Sequence, residues 1–227
     1  MGKSIKVSSL FLAFFAAASL CSCGKEDTSW RDALLNDVSG EYYLVGYDWQ
    51  GAPVDVYGDG ESSNALLPVF LGKDRDVFKL SVTVRSDVSR EGTASGPLPS
   101  AAKSVYNEYP SSWRSTLNFK YDVGKSGLSF SGVSVDYGFH ADHEILTQLT
   151  EPRVEFTRDL HSDEIRYLTV NCVAKVYDQS TRRYVDGTVT LKYVTSPRVT
   201  VEDYVVTVQG ATADGMVTYT YDLKTGK

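Results

Sequence analysis

The chain has 227 residues, 42% of them hydrophobic and 12% aromatic, and its 29 acidic against 23 basic residues give a formal net charge of −6. That length is enough to bury a sizeable core in one domain, and an acidic surface repels nucleic acid and anionic lipid. Three cysteines in the whole chain are too few for a disulfide scaffold.

Lys3 and Lys6 give the N-terminus a positive start, and Val7 to Leu20 follow as an apolar run with Leu10, Phe11, Leu12, Phe14 and Phe15. Such a run has signal-peptide length and is too short to span a bilayer. It ends on Leu20-Cys21-Ser22-Cys23, which resembles the bacterial lipobox: an aliphatic residue, two small residues, and then the cysteine whose thiol takes diacylglycerol. Cys21 fits less well, because bulky Leu20 stands directly before it. The resemblance implies cleavage of residues 1–22 and palmitate-type acyl chains on Cys23. Each buried methylene contributes about 0.8 kcal/mol, so two or three chains make release from a membrane negligible.

Gly24-Lys25-Glu26-Asp27 resembles the acidic tether that exports Bacteroidetes lipoproteins to the cell surface. Gly24 also lacks the carboxylate associated with retention at the inner membrane. Loss of Lys3 and Lys6 leaves 21 basic against 29 acidic residues, a mature charge of about −8. With Cys21 removed and Cys23 lipidated, Cys172 is the one free thiol, and no intramolecular disulfide can form.

Residues 23–36 read as the lipidated tether and a short helix, Ser29 capping a turn or two that carries Trp30, Leu34 and Leu35. Residues 37–227 read as a single β domain, since no linker, repeat or low-complexity block divides them and Tyr, Val and Thr favour strands. The first strand candidate runs from Glu41 to Trp49. Next, Phe78, Leu80, Val82 and Val84 alternate with Lys79, Ser81, Thr83 and Arg85, one face apolar and the other polar. Ser100 reads as the cap of a second short helix with Val105, Tyr106 and Tyr109.

Leu117, Phe119, Tyr121 and Val123 resume the alternation. From Leu128 to Phe139 the apolar phase shifts across Ser131-Gly132, the mark of a β-bulge. Strands follow at Arg153 to Thr157 and Glu164 to Tyr177. The latter places Cys172 on one face with Leu168, Val170 and Ala174, as an inert core thiol. Asp178 to Arg183 is a polar hairpin turn into Tyr184 to Val194. Val199 to Val208 and Val217 to Leu223 complete about nine antiparallel strands. Two all-β architectures close the edges of such a set, an antiparallel barrel and a two-sheet sandwich, and periodicity leaves both open.

Three segments carry candidate chemistry. Asp55-Val56-Tyr57-Gly58-Asp59-Gly60-Glu61 resembles the start of an EF-hand or dockerin calcium loop, which needs alternating oxygen donors, a glycine at the sharp turn and a distal bidentate carboxylate. Tyr57 and Leu66 stand where two of those donors belong. The segment therefore reads as a strand-connecting turn, with Asp55, Asp59 and Glu61 the residues to hold weak calcium if any does. His140-Ala141-Asp142-His143-Glu144 gathers imidazoles and carboxylates, but residues three apart point to opposite faces of a strand, and no third ligand has recognisable spacing. Finally, residues 86–115 form a long connection in which Tyr106, Tyr109 and Trp113 are candidates for an aromatic lid over a ligand. No Gly-x-Ser-x-Gly elbow or other supported catalytic constellation occurs, so no enzyme activity is expected.

Gly40-Glu41-Tyr42-Tyr43 is similar to the Gly-x-Trp-Tyr opening of lipocalins, with Tyr42 in place of the tryptophan. Glu202-Asp203-Tyr204 is similar to their Thr-Asp-Tyr turn, although it lies closer to the C-terminus and no lipocalin-type C-terminal helix follows it. More broadly the chain resembles the uncharacterised surface lipoproteins of gut Bacteroidetes, many of them lipocalin-like, over the signal and roughly the first forty mature residues. That resemblance implies a lipid-anchored protein of the outer membrane or cell surface of a Gram-negative bacterium, with a lipocalin-like barrel preferred. Two roles follow: a non-catalytic binding module for a small apolar molecule or glycan, or a structural or adhesion component that binds an envelope protein. The lipid anchor is directly measurable: mass spectrometry of the mature protein is expected to show residues 1–22 absent and diacylglycerol on Cys23, and Cys23→Ser is expected to abolish acylation.

Overall fold

The computed structural model describes residues 29–73, 79–84, 91–96, 98–106, 111–112, 115–124, 127–138 and 143–224. The expected signal segment and Cys23 lie outside them. Helix α1 (Ser29–Val38) leads into β1 (Gly40–Gln50), and helix α2 (Leu66–Lys73) precedes β2 (Lys79–Val84), β3 (Glu91–Gly96), β4 (Ala101–Ser104) and β5 (Ser111–Ser112). Then come β6 (Ser115–Gly124), β7 (Gly127–Asp136), β8 (His143–Ile145), β9 (Thr147–Arg158), β10 (Arg166–Asp178) and β11 (Arg183–Thr195). Three short strands end the chain: β12 (Arg198–Glu202), β13 (Val205–Thr212) and β14 (Gly215–Asp222).

The protein is all-β and antiparallel. Eight strands make one sheet in the order β7-β6-β3-β2-β1-β11-β10-β9, and β12-β13-β14 and β5-β4-β8 make two smaller sheets of three strands each. Followed around from β1, the large sheet is an up-and-down meander that returns to its start. β1 pairs with β2 on one side and with β11 on the other, where Tyr43 faces Val194 and Gln50 faces Thr188. The two edges that remain, β7 and β9, are joined through side chains. The Phe130 and Phe156 rings lie 4.8 Å apart, and the Tyr137 hydroxyl donates to the Leu149 carbonyl at 3.0 Å while accepting from its amide. The sheet thus curls into a nearly closed barrel with a packed seam instead of a ladder.

Period-two alternation aims one face of every long strand inward. Leu80 and Val82 of β2, Leu117, Phe119 and Tyr121 of β6, and Leu168, Val170, Cys172, Ala174 and Val176 of β10 are all buried, as the alternation predicts. All but Tyr121 meet Tyr42, Leu44 and Tyr47 of β1 and Leu191 and Tyr193 of β11 in one continuous core. Each such side chain contributes roughly 1.5–3 kcal/mol. α2 closes one end of the barrel. Leu66, Leu67, Phe70 and Leu71 are buried, and the Phe70 ring meets Tyr47 at 5.4 Å and Tyr57 at 6.5 Å. Nearby, the Trp49 indole lies flat on backbone: a Cβ added to Gly51 would sit 2.0 Å from the ring, and one added to Gly187 would sit 2.6 Å from it. Its Nε1 donates to the Ala52 carbonyl at 3.0 Å.

The small C-terminal sheet packs on the opposite end and sends Val206, Val208 and Leu223 into the same core. Asp159, between β9 and β10, is its clasp. That carboxylate accepts from the Tyr219 hydroxyl at 3.1 Å, the Tyr167 hydroxyl at 3.2 Å and the His161 amide at 2.8 Å. Much of the tyrosine content therefore serves hydroxyl contacts between elements, beyond strand propensity.

Several elements differ from the sequence reading. The expected strand from Val199 to Val208 is two, β12 and β13, because Asp203 and Tyr204 both take left-handed φ values, 45° and 70°, and turn the chain between them. Where Ser100 suggested a helix, Ala101 and Ala102 are buried in β4 and pair with β5 and β8; tertiary pairing overrides the local cap. α2 went unseen, since an apolar run that short is ambiguous between helix and strand. The bulge is where the phase shift puts it: between Asn118 and Lys120 the partner jumps from Ser134 to Ser131, and Gly132 takes φ 56°. No helix among the described residues is long and apolar enough to cross a membrane.

Burial pushes the Cys172 thiol up to about 12, far above the range in which a thiolate forms at neutral pH. The folded protein is therefore expected to leave Cys172 unmodified by a thiol-reactive dye at pH 8, with stoichiometric labelling only after denaturation. Rapid labelling of the native protein would contradict the burial.

Candidate functional site

The Asp55 segment lies at the α2 end of the barrel, where the Val54–Ser63 bridge closes it into a loop. Asp55 is 2% exposed, and its carboxylate accepts from the amides of Gly58 at 2.6 Å and Gly60 at 3.0 Å. Its backbone bonds to the β10–β11 turn: the Asp55 amide donates to Asp178 at 3.1 Å, and the Gln179 amide donates to the Asp55 carbonyl at 2.8 Å. Asp59 and Glu61 instead face a cleft of about 460 Å³ with Tyr57 and Pro68. The structure thus brings Asp59 and Glu61 together but turns Asp55 away from them, since its oxygens are committed to amides that hold the loop. Among the described residues, no three or more His, Cys, Asp or Glu side chains form a group able to hold a metal ion. His140 and Asp142 lie outside those residues.

Asp178 belongs to the same knot. Burial alone would raise its carboxyl, but hydrogen bonds from Thr181, Ser180 and the Asp55 and Ser180 amides outweigh burial and hold it below the usual carboxylate range. The stability contributed by a depressed carboxyl is present above its unfolded value, about 3.9, and is lost as pH falls through the lower folded value. Acid unfolding followed by circular dichroism is expected to begin below about pH 4. Asp178→Asn should destabilise the protein at neutral pH by about 1–3 kcal/mol and flatten its dependence on acid.

Of the expected lid, Tyr106 is 82% exposed in the turn after β4, and Tyr109 and Trp113 lie outside the described residues. A second cavity, with an aromatic floor and a cationic rim, lies on the barrel seam beside α1. It measures about 150 Å³ and is lined by Asp37 and Val38 of α1, Tyr42 of β1, Phe130 of β7, Phe156, Thr157 and Arg158 of β9, and Arg166 of β10. Its floor is an aromatic cluster: Phe156 stands edge-on to Tyr42 at 5.9 Å and packs on Phe130 at 4.8 Å. The position follows from topology, because β7 and β9 pack here without a ladder, and rings rather than amides fill the gap.

The rim is charged. Asp37, on the last turn of α1, forms ion pairs with both Arg158 and Arg166, the latter at 3.1 Å. Arg166 Nη1 also donates to the Asp37 carbonyl, so one guanidinium ties the end of the helix to the start of β10. The Tyr42 hydroxyl donates to the Val38 carbonyl at 2.9 Å. Burial holds that phenol well above its usual range while Arg166 draws it partway back, which keeps Tyr42 a neutral donor. Arg166 Nε is buried and has no hydrogen-bond partner among the described residues. The arrangement can seat a flat apolar group on the rings and present cationic donors at the mouth.

No protein-family model matches the chain, and neither a curated protein nor a solved structure matches it.

Proposed function

We propose that the chain is a lipid-anchored protein of the outer membrane or cell surface of a Gram-negative bacterium, similar to Bacteroidetes lipoproteins, whose barrel is a non-catalytic binding module for a small apolar molecule. The seam cavity carries this reading. A barrel ligand is ordinarily held along the axis, but here Tyr42, Leu44, Tyr47 and Tyr193 pack into the core, and among the described residues a cavity with an aromatic floor and convergent cationic groups lies between α1 and the seam. Concave, mainly apolar lining with a few placed polar groups is the general form of a small-molecule site. A volume of about 150 Å³ suits a single ring better than an oligosaccharide. The anchor on Cys23 would hold the module at the membrane without asking anything of its folded surface.

An envelope-assembly role has one observation in its favour: β12 and β14 are the two edges of the small sheet, and Val201 and Met216 on them are 38% and 47% exposed. The two readings separate in a thermal-shift series. A single-ring aromatic compound at ten times its Kd stabilises by about 1.4 kcal/mol, roughly 3–6 °C for a chain of this size. Val38→Phe, which puts a ring into the cavity, is expected to keep the fold and abolish that shift. No shift with any such compound, alongside a specific complex with an outer-membrane protein, would replace the binding-module reading with the assembly one.

A further inference from the structure

Resting on the seam cavity as the binding site, we infer that its ligand is a small monocarboxylate with a flat apolar body, typified by a single-ring aromatic acid. The donor side is built first. A guanidinium carries five N–H groups in a rigid fork suited to carboxylates. Arg166 spends Nη1 on the Asp37 carboxylate and carbonyl, and it lines the cavity beside Arg158. Guanidinium N–H groups that line a cavity form charge-assisted hydrogen bonds to a carboxylate, roughly twice as strong as neutral ones.

Charge then sets the valence. Arg158 and Arg166 place two guanidiniums at the rim against the single carboxylate of Asp37. Asp163 reaches Arg158 only at 3.9 Å and is 91% exposed, where screening leaves little interaction. The last carbonyls of α1 add about half a negative charge. The wall therefore keeps a surplus of about half a positive charge, so a monoanion leaves only a small negative excess and a dianion a much larger one.

Size and floor set the body. A cavity of about 150 Å³ matches one known to accept benzene. Tyr42, Phe130 and Phe156 offer ring faces and edges at spacings that suit a further ring. In that pose the ring lies on the floor and the carboxylate meets the donors of Arg166.

The test uses isothermal titration calorimetry of the full chain at pH 7 with benzoate and with benzamide, its neutral near-isostere. Benzoate is expected to bind about tenfold more tightly or better, the size of a charge-assisted hydrogen bond. Arg166→Lys keeps a cation for Asp37 but removes the fork. It should lower the melting temperature, since Arg166 also ties α1 to β10, and bring the ratio towards one. Equal affinities in the unsubstituted protein would overturn the carboxylate assignment and leave the cavity as an apolar site. Binding of neither compound would remove the cavity as a site altogether. The ratio in the unsubstituted protein decides whether or not the variant folds.

Discussion

Everything in this molecule depends on β1 being paired on both sides. Its ladder with β11 joins Tyr43 to Val194, so the meander closes only when the chain has nearly finished, and that long-range contact must repay the loop-closure entropy of all the strands between. Once it forms, the inward faces of eight strands share one core, and α1 and α2 are drawn to opposite ends by residues at the two ends of β1. The fold is thus specified less by any local turn than by the register of one central strand, where a slip of a single residue would turn its inward side chains to solvent.

The ladder that closes at β1 and β11 leaves its deficit at β7 and β9. A barrel must place its mismatch somewhere, and here aromatic rings take the place of amide pairs. Rings meet at longer and less regular spacings than hydrogen-bonded strands, and a cavity at such a junction is the geometric result. α1 covers it and is fastened there by Arg166. The proposed binding geometry and the closure of the barrel are two aspects of one arrangement, because the Phe130–Phe156 contact that joins the edges also floors the cavity.

Strand positions were readable in the sequence wherever alternation was strong. Leu80 and Val82, Leu117 to Tyr121 and Leu168 to Val176 all point inward as their spacing requires, and the shift at Gly132 marks its bulge. β3 was not readable, because Glu-Gly-Thr-Ala-Ser-Gly has no apolar alternation and is a strand only by virtue of its neighbours β2 and β6. The candidate site was illegible for a different reason. Asp37 and Arg166 are 129 residues apart, and an ion pair made by topology leaves no spacing motif. The aspartates that did form a motif, at 55 and 59, both accept from amides of their own loop, Asp55 from Gly58 and Gly60 and Asp59 from Glu61, and only Asp59 also borders a cleft. Local oxygen-rich sequence is shared by cation sites and by turns, and only the direction of each carboxylate tells them apart.

The indole of Trp49 has a consequence for how this sequence can change over time. Gly51 and Gly187 come from different parts of the chain, yet each gives up its side chain to the same ring. Neither glycine can drift to a larger residue while the tryptophan stays. A smaller residue at 49 would leave a void that the glycines cannot fill, at a cost of roughly 3–5 kcal/mol. The three positions are therefore free to vary only as a set, and among divergent descendants of this chain a tryptophan at the end of the first strand should be inherited together with both glycines or lost with them.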